Sequence, residues 1–299
     1  MKIVIVTPYW IDTKGGITTV AVLLSETLRR LGHRVFVLSP DGGLGSEKLP
    51  RRRFFLALAL PRALAKLSPD AIHVHGHGSL LFPAVLYKII FNRRVKIIFT
   101  FHTQPHTISY LTTGKPLKER GMFRQFIFNS LLKHCDATTY VSKSLMDSLS
   151  KSGIKIINPF VILNGVSAKE IKLEDITNFK QRYNLSNNYP ILCMIASFAW
   201  DWKIKGIEIL LEAFKKALIY KPKAKLLIIG DGQYRKHLED CIKKENLKED
   251  VIFTGMMDNP FIALSVCDIY CHISLNEACP VAPLEAMIAG KPVIASNDG

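Results

Sequence analysis

The chain of 299 residues is short of several things a protein of that length could have. No apolar run reaches the ~20 residues that span a bilayer. The longest are Phe54–Leu60 and Ser79–Phe91, the second interrupted by Lys88. Met1-Lys2-Ile3-Val4-Ile5-Val6 breaks at Thr7-Pro8, too early for a secretory signal, and reads as a first strand. The six cysteines, Cys135, Cys193, Cys241, Cys267, Cys271 and Cys279, form no C-x-x-C pair; several lie in apolar segments, as free thiols of a reducing cytoplasm do. Tandem repeats, low-complexity tracts and a G-x-G-x-x-G loop are missing too, which disfavours solenoids, disorder and a dinucleotide site. No nucleic-acid partner is expected. Acidic residues are scarce in one half only: residues 1–165 carry 23 Lys and Arg against 8 Asp and Glu, whereas 166–299 carry 17 of each. A one-sided excess of this kind suggests an anionic partner for the first half, either a membrane surface or a phosphate-bearing acceptor.

What is present is an alternation of apolar β-rich runs with helical-period segments, the pattern of parallel sheets covered by helices. Strands are expected at Lys2–Thr7, Arg34–Ser39, Ala71–His75, Val95–Phe101, Ala137–Val141 and Phe160–Leu163. In the second half they are expected at Ile191–Ser197, Lys225–Gly230, Val251–Thr254, Asp268–His272 and Pro292–Ala295. Val20, Leu23, Leu24, Thr27, Leu28 and Leu31 recur at helical spacing before Gly32, which predicts a helix over 17–31. Further helices are predicted over 206–219, 234–245 and 281–289. The expected organisation is α/β: a doubly wound Rossmann-like domain over 1–166, a connector over 167–189, and a second such domain over 190–299, the two facing each other across a cleft.

Ligands of open α/β sheets sit beyond the carboxyl ends of the strands, which directs attention to polar residues there. Gly15-Gly16 opens the first helix, either as a turn or as free amides aimed at an anion. His102 follows the apolar strand ending at Phe101, where an imidazole is either structural or a donor to a sugar hydroxyl. His73, His75 and His77 alternate along a strand and its exit; they pack at the strand end or hold a divalent ion. Lys203 and Lys205 precede Gly206 as solvated lysines or as a clamp for a diphosphate. Glu277 is placed on a loop and Glu285 inside the apolar helix that follows, where an unpaired carboxylate is costly. Around them, Ala278, Cys279 and Val281 line the loop and helix start. One glutamate can then reach a donor sugar while the other accepts from a ribose diol.

With these motifs, the chain resembles glycosyltransferase family 4, retaining enzymes of GT-B architecture, essentially end to end. The amino-terminal likeness lies in Gly15-Gly16, Leu31-Gly32-His33-Arg34-Val35, Asp70-Ala71-Ile72-His73-Val74-His75, Thr100-Phe101-His102 and Val161-Ile162-Leu163-Asn164-Gly165-Val166. In the second half it lies in Lys205-Gly206, Ile229-Gly230-Asp231-Gly232, Phe253-Thr254-Gly255 and Glu277-x7-Glu285 with the following Ala286–Ser296. The resemblance implies His102 and Glu277 at the donor sugar as the catalytic pair. It implies that Gly15, Gly16, Lys203, Lys205, Ala278, Cys279, Val281 and Glu285 hold a nucleotide-diphosphate sugar, with UDP or GDP as its nucleotide. That sugar is a co-substrate; no cofactor and no catalytic metal are implied, and the acceptor is a glycan or a lipid-linked molecule. Two departures stand out. The family's arginine, five residues before the lysine of its Lys-Gly pair, is absent from Ile195–Trp202, and similar chains continue past Gly299, so the second domain reads as incomplete.

A non-catalytic sugar-nucleotide-binding or partner subunit is the competing expectation, and a metal-dependent hydrolase, resting on the histidines, is a third. The segment Arg51-Arg52-Arg53 with Phe54–Leu60, followed by Arg62 and Lys66, adds a candidate peripheral contact with an anionic inner membrane face, against the alternative that its apolar residues only cover the sheet.

Overall fold

The computed structural model describes residues 1–8, 15–39, 47–50, 53–76, 78–103 and 122–297. The chain divides into two compact units, Met1–Gly165 and Val166–Asp298.

In the first unit, the described residues form seven parallel strands in the order β3-β2-β1-β4-β5-β6-β7. They are β1 (Lys2–Val6), β2 (Arg34–Ser39), β3 (Glu47–Lys48), β4 (Ala71–His75), β5 (Lys96–Phe101), β6 (Ala137–Tyr140) and β7 (Pro159–Val161). The helices are α1 (Gly16–Arg30), α2 (Arg53–Leu67), α3 (Gly78–Ile90), α4 (Met122–Leu132) and α5 (Lys143–Lys151). Chain direction reverses its march across the sheet between β1 and β4, which are hydrogen-bonded neighbours; a switch of that kind opens a crevice at the carboxyl ends. Helix α2 settles one sequence alternative in part. Leu56, Leu60 and Leu64, spaced by four, are buried, while Phe55, Leu58, Arg62 and Lys66 are exposed. Helix α2 packs against α3, and the interior thus takes one stripe of the apolar run and leaves another outside. Arg51 and Arg52 lie outside the described residues.

The second unit holds five parallel strands in the order β10-β9-β8-β11-β12: β8 (Ile191–Ile195), β9 (Lys225–Ile229), β10 (Val251–Gly255), β11 (Ile269–His272) and β12 (Val293–Ala295). Its helices are α6 (Leu173–Arg182), α7 (Asp201–Leu218), α8 (Arg235–Lys244), α9 (Phe261–Val266) and α10 (Val281–Ile288). Side chains alternate across a strand, and the core splits accordingly. Met194, Leu226, Ile228 and Cys271 pack with Ile207, Leu211 and Phe214 of α7 on one face. Cys193, Leu227, Ile229 and Tyr270 pack with Phe261 and Leu264 of α9 on the other. Phe179 of α6 and Leu185 join that second cluster, so the segment read from sequence as a connector packs as part of this unit. Here the switch lies between β8 and β11.

Helix α7 begins at Asp201, with Trp200 as its N-cap, five residues before the start expected at Gly206. The glycine does different work. A Cβ at Gly206 would collide with the carbonyl oxygen of Ile273, just after β11, so its absence lets the helix backbone lie against that segment. No helix among the described residues is long and apolar enough to cross a membrane.

Candidate functional site

In the first unit the carboxyl ends of β4, β5 and β6 carry a polar cluster on one face of the sheet. His75 is opposite Thr100 in the register, and Thr100 is opposite Thr139. The two-residue repeat puts His73 beside His75 and His102 beside Thr100. The Oγ1 atoms of Thr100 and Thr139 are 2.5 Å apart, and His73 Nε2 is 2.6 Å from Thr100 Oγ1. His75 Nδ1 lies 2.8 Å from His102 Nε2, with the two rings stacked. Burial disfavours the imidazolium throughout: it lowers His73 to about 4, and burial together with the neighbouring His73 lowers His102 to about 3. His75 is pushed down by burial, then by His73 and His102.

At neutral pH all three rings are uncharged. They can donate and accept hydrogen bonds but cannot offset an anion's charge. His77, the third member of the sequence-derived cluster, lies outside the described residues. His73 and His75 face a hydroxyl and a third histidine, with no carboxylate in these contacts, and this is the geometry of a hydrogen-bonded strand end. Among the described residues, the cluster whose ligand atoms suit a metal ion is elsewhere, at Glu208, His237 and Cys241 on α7 and α8, all within 4.8 Å of one another. A hydrogen bond of 2.6 Å between His237 Nε2 and Glu208 already occupies two of its ligand atoms.

Gly15 is the N-cap of α1 and Gly16 its first residue. A side chain at Gly15 would meet nothing within 4 Å, so packing does not require a glycine there. The amides of the first helical turn have no partner within the helix, and the helix dipole favours an anion beside them.

In the second unit the loop after β11 and the start of α7 flank the switch between β8 and β11. Glu277 Oε1 accepts from Lys203 Nζ and stands 3.1 Å from His272 Nε2. The meeting follows from Gly206, since close approach of α7 to Ile273 brings Lys203, one turn earlier, against the loop carrying Glu277. Lys203 and Lys205 do not work side by side. Two positions apart on a helix they point in different directions; Lys203 turns to Glu277 and Lys205 is exposed.

Glu285 lies in α10, half-buried beside the buried Val281 and Ala286. Burial raises its carboxyl to about 7, with Lys169 opposing. The two glutamates therefore differ in kind: one is paired with a lysine, the other is desolvated and divided between its neutral and ionised forms near pH 7. Ala278 and Val281 are buried and Cys279 is half-buried along the intervening loop and helix start.

Sequence reasoning missed Tyr270 and His272. Both are buried on β11, with Tyr270 Oη 3.3 Å from His272 Nδ1. The available signal was a histidine inside the apolar strand Ile-Tyr-Cys-His, in phase with a tyrosine. Thr100 and Thr139 went unread for the same reason: their partners lie across strands.

Comparison with known proteins adds to this geometry. Residues 14–170 match the model of Glycosyltransferase Family 4, and residues 175–299 match that of Glycosyl transferases group 1. The alpha-monoglucosyldiacylglycerol synthase of Acholeplasma laidlawii is 25% identical, with 100% of this chain and 81% of that protein covered. The N-acetyl-alpha-D-glucosaminyl L-malate synthase of Bacillus anthracis is 27% identical over 95% of this chain and 76% of its own length. Among solved structures, Anabaena HepE in complex with UDP-glucose superimposes with a TM-score of 0.80 at 19% identity, covering 100% of this chain and 81% of that one. WaaG, a glycosyltransferase involved in lipopolysaccharide biosynthesis, gives 0.72 at 14% identity over 98% and 81%. With its two parallel-sheet α/β units, the chain has the GT-B fold of these structures.

Proposed function

We propose that this chain, which belongs to Glycosyltransferase Family 4, moves a sugar from a nucleotide-diphosphate donor to a hydroxyl of a lipid-linked or glycan acceptor, with retention of anomeric configuration. The observation that carries this reading is the pair of unlike glutamates beyond the second sheet. Glu277, braced by Lys203 and His272 at the switch between β8 and β11, suits orientation of a sugar through its hydroxyls. Glu285, eight residues on and desolvated, gains most from a ligand that donates hydrogen bonds to a carboxylate, as a ribose diol does.

In the first unit, neutral His102 supplies a hydrogen bond to the donor sugar, while Gly15 and Gly16 offer amides to phosphate. In the second, exposed Lys205 is the cation left for the diphosphate, Lys203 being engaged by Glu277, with the backbone of Ala278, Cys279 and Val281 beside it. The acceptor oxygen bonds to the anomeric carbon, the bond from that carbon to the phosphate oxygen breaks, and the acceptor's proton passes to the departing phosphate on the same face. No metal ion takes part in this scheme.

UDP- and GDP-linked donors are the candidates, and HepE in complex with UDP-glucose supports testing UDP first. A lipid acceptor is supported by the Acholeplasma relative and by the basic first half. The anionic surface that such an acceptor occupies fits Arg62 and Lys66, exposed on α2 with Phe55 and Leu58.

The test is release of nucleoside diphosphate from a panel of UDP- and GDP-sugars, given diacylglycerol in mixed micelles or an oligosaccharide, with and without EDTA. The expected result is turnover unaffected by EDTA and an α-linked product from an α-linked donor, read from the anomeric proton. Binding without release from any donor would favour the non-catalytic sugar-nucleotide-binding subunit.

A further inference from the structure

The hydrogen bonds behind Glu277 run deeper than the loop. Tyr270 and His272 sit two apart on β11 and share a face of the sheet. Both are buried, with Tyr270 0% and His272 4% exposed. The amide of Ile195, the last residue of β8, donates to Tyr270 Oη at 3.4 Å, and the same oxygen is 3.3 Å from His272 Nδ1. With its oxygen accepting from the amide, the tyrosine directs its own proton to Nδ1. The Glu277 carboxylate beside Nε2 can only accept, so Nδ1 is the bare nitrogen. The single proton of the neutral ring therefore lies on Nε2, 3.1 Å from Glu277 Oε1, and an N–H donates to the carboxylate. Burial and the nearby Lys203 hold His272 at about 3, so the ring stays neutral across the working pH range.

We propose that His272, locked in its Nε2–H tautomer by Tyr270, is a positioning residue that fixes the Glu277 carboxylate from below while Lys203 fixes it from α7. The inference rests on the sugar-orienting role given to Glu277 above. Its logic is that of an outer partner orienting a group that meets the ligand: the carboxylate cannot rotate without breaking a buried hydrogen bond on one side or an ion pair on the other. The chain from the Ile195 amide through Tyr270 and His272 to Glu277 joins both strands at the switch to one oxygen atom. A misplaced orienting group costs turnover more than it costs affinity, because the nucleotide is held by other residues.

The first test needs no substrate. Long-range 1H–15N correlation spectra of the wild type, assigned with His272→Gln, are expected to show His272 as the neutral Nε2–H tautomer from pH 6 to 8. Tyr270→Phe is expected to let the Nδ1–H form appear. A wild-type Nδ1–H tautomer, or protonation near 6.5, overturns the proposal.

The second test compares His272→Leu with His272→Gln, whose side-chain amide can still donate toward Glu277. With the donor that supports wild-type turnover, His272→Leu should lower kcat by about 10²-fold, leave UDP affinity within a few-fold, and be largely rescued by Gln. If the wild type neither binds nor turns over any donor, the proposed function fails. If the wild type turns over and His272→Leu matches it, only the positioning role fails. Should the leucine variant not fold, the glutamine variant and the tautomer measurement still decide.

Discussion

His75 Nδ1 and His102 Nε2 approach to 2.8 Å, while the other ring nitrogen of His75 is buried with no hydrogen-bond partner among the described residues. Both rings are neutral, so one proton serves the contact. If His102 donated it, His75 would carry its own proton on the orphaned nitrogen, and a buried N–H without an acceptor is rarer than a bare lone pair. His75 is therefore the donor, and His102 keeps its proton on Nδ1. We predict that His75→Leu lowers kcat by ~10²-fold with little change in nucleotide affinity. His75→Asn, whose amide nitrogen stands near the Nδ1 position, should recover much of it. Equal losses in both variants would reject the assignment.

The two glutamates are expected to fail differently. Glu277→Gln should reduce turnover by ~10²–10³-fold, the usual cost of removing a preorganised electrostatic contact, with UDP affinity nearly intact. Glu285→Ala should chiefly weaken UDP binding. The affinity of the wild type should also follow pH. Hydrogen bonds from a diol favour the carboxylate, so binding must deprotonate a group that sits at about 7. Below pH 7 the dissociation constant for UDP should rise toward tenfold per pH unit, and Glu285→Gln should flatten that slope; isothermal titration at pH 5.5, 6.5 and 7.5 reads both.

Stability should fall steeply with acid. His73, His102 and His272 are lowered to about 4, 3 and 3, and His75 is lowered as well. Below ~6.5 the unfolded chain binds protons at these positions that the folded protein refuses. Their stabilisation is complete above pH 6.5 and lost as pH falls toward 4. Glu285 acts in reverse. Its raised value means that the folded state binds a proton the unfolded state releases between ~4.5 and 7, so its contribution declines as pH rises. At ~1.4 kcal/mol per group and pH unit, four histidines against one glutamate leave a slope on the order of 4 kcal/mol per unit. Ordinary stabilities of ~5–15 kcal/mol do not survive two such units. Urea unfolding at pH 7.5, 6 and 5 should show the midpoint collapsing; a flat profile would contradict the buried neutral histidines.

Gly206→Ala tests how α7 is seated. In a free helix the change gains up to ~1 kcal/mol, but here the new methyl meets the Ile273 carbonyl, and overpacking of that kind costs ~1–3 kcal/mol. The clash should win, lowering the melting temperature and, by moving Lys203 away from Glu277, lowering turnover as well. A more stable, fully active variant would show that the contact is not tight.

Association with anionic vesicles should be reversible and salt-sensitive. Each Lys or Arg near such a surface contributes ~1 kcal/mol, and Arg62 and Lys66 are exposed on α2. Co-sedimentation with phosphatidylserine vesicles is expected at low salt. It should weaken when Arg51, Arg52 and Arg53 are changed to Ser, and again when Arg62 and Lys66 are. Identical sedimentation of all three proteins would remove the membrane from this picture.

Most of the sheet was legible because buried parallel strands announce themselves as apolar runs; Arg34–Ser39 and Ala71–His75 agree to the residue, and the others differ by one or two at their ends. Helix α9 was not read, since six residues are too few for a period to show. The start of α7 was misplaced because Gly206 looks like punctuation, whereas it is an interior residue serving a contact with a segment far along the chain. The paired glutamates and His102 could be picked out from their positions after strands. Tyr270 and His272 could not, because their meaning comes from a tautomer set by an amide on another strand, and Lys203 was given a phosphate before its carboxylate partner was visible.

Strand order has a consequence for synthesis. In both units the first strand made, β1 or β8, lies inside the sheet, the next two extend it on one side, and the remainder extend it on the other. A chain leaving the ribosome at ~5–20 residues per second lays down the centre before either margin, so each newly emerged strand meets an edge already waiting for it. Each sheet can widen outward in the order in which it is translated, and none of the described strands has to be inserted between two that have already paired.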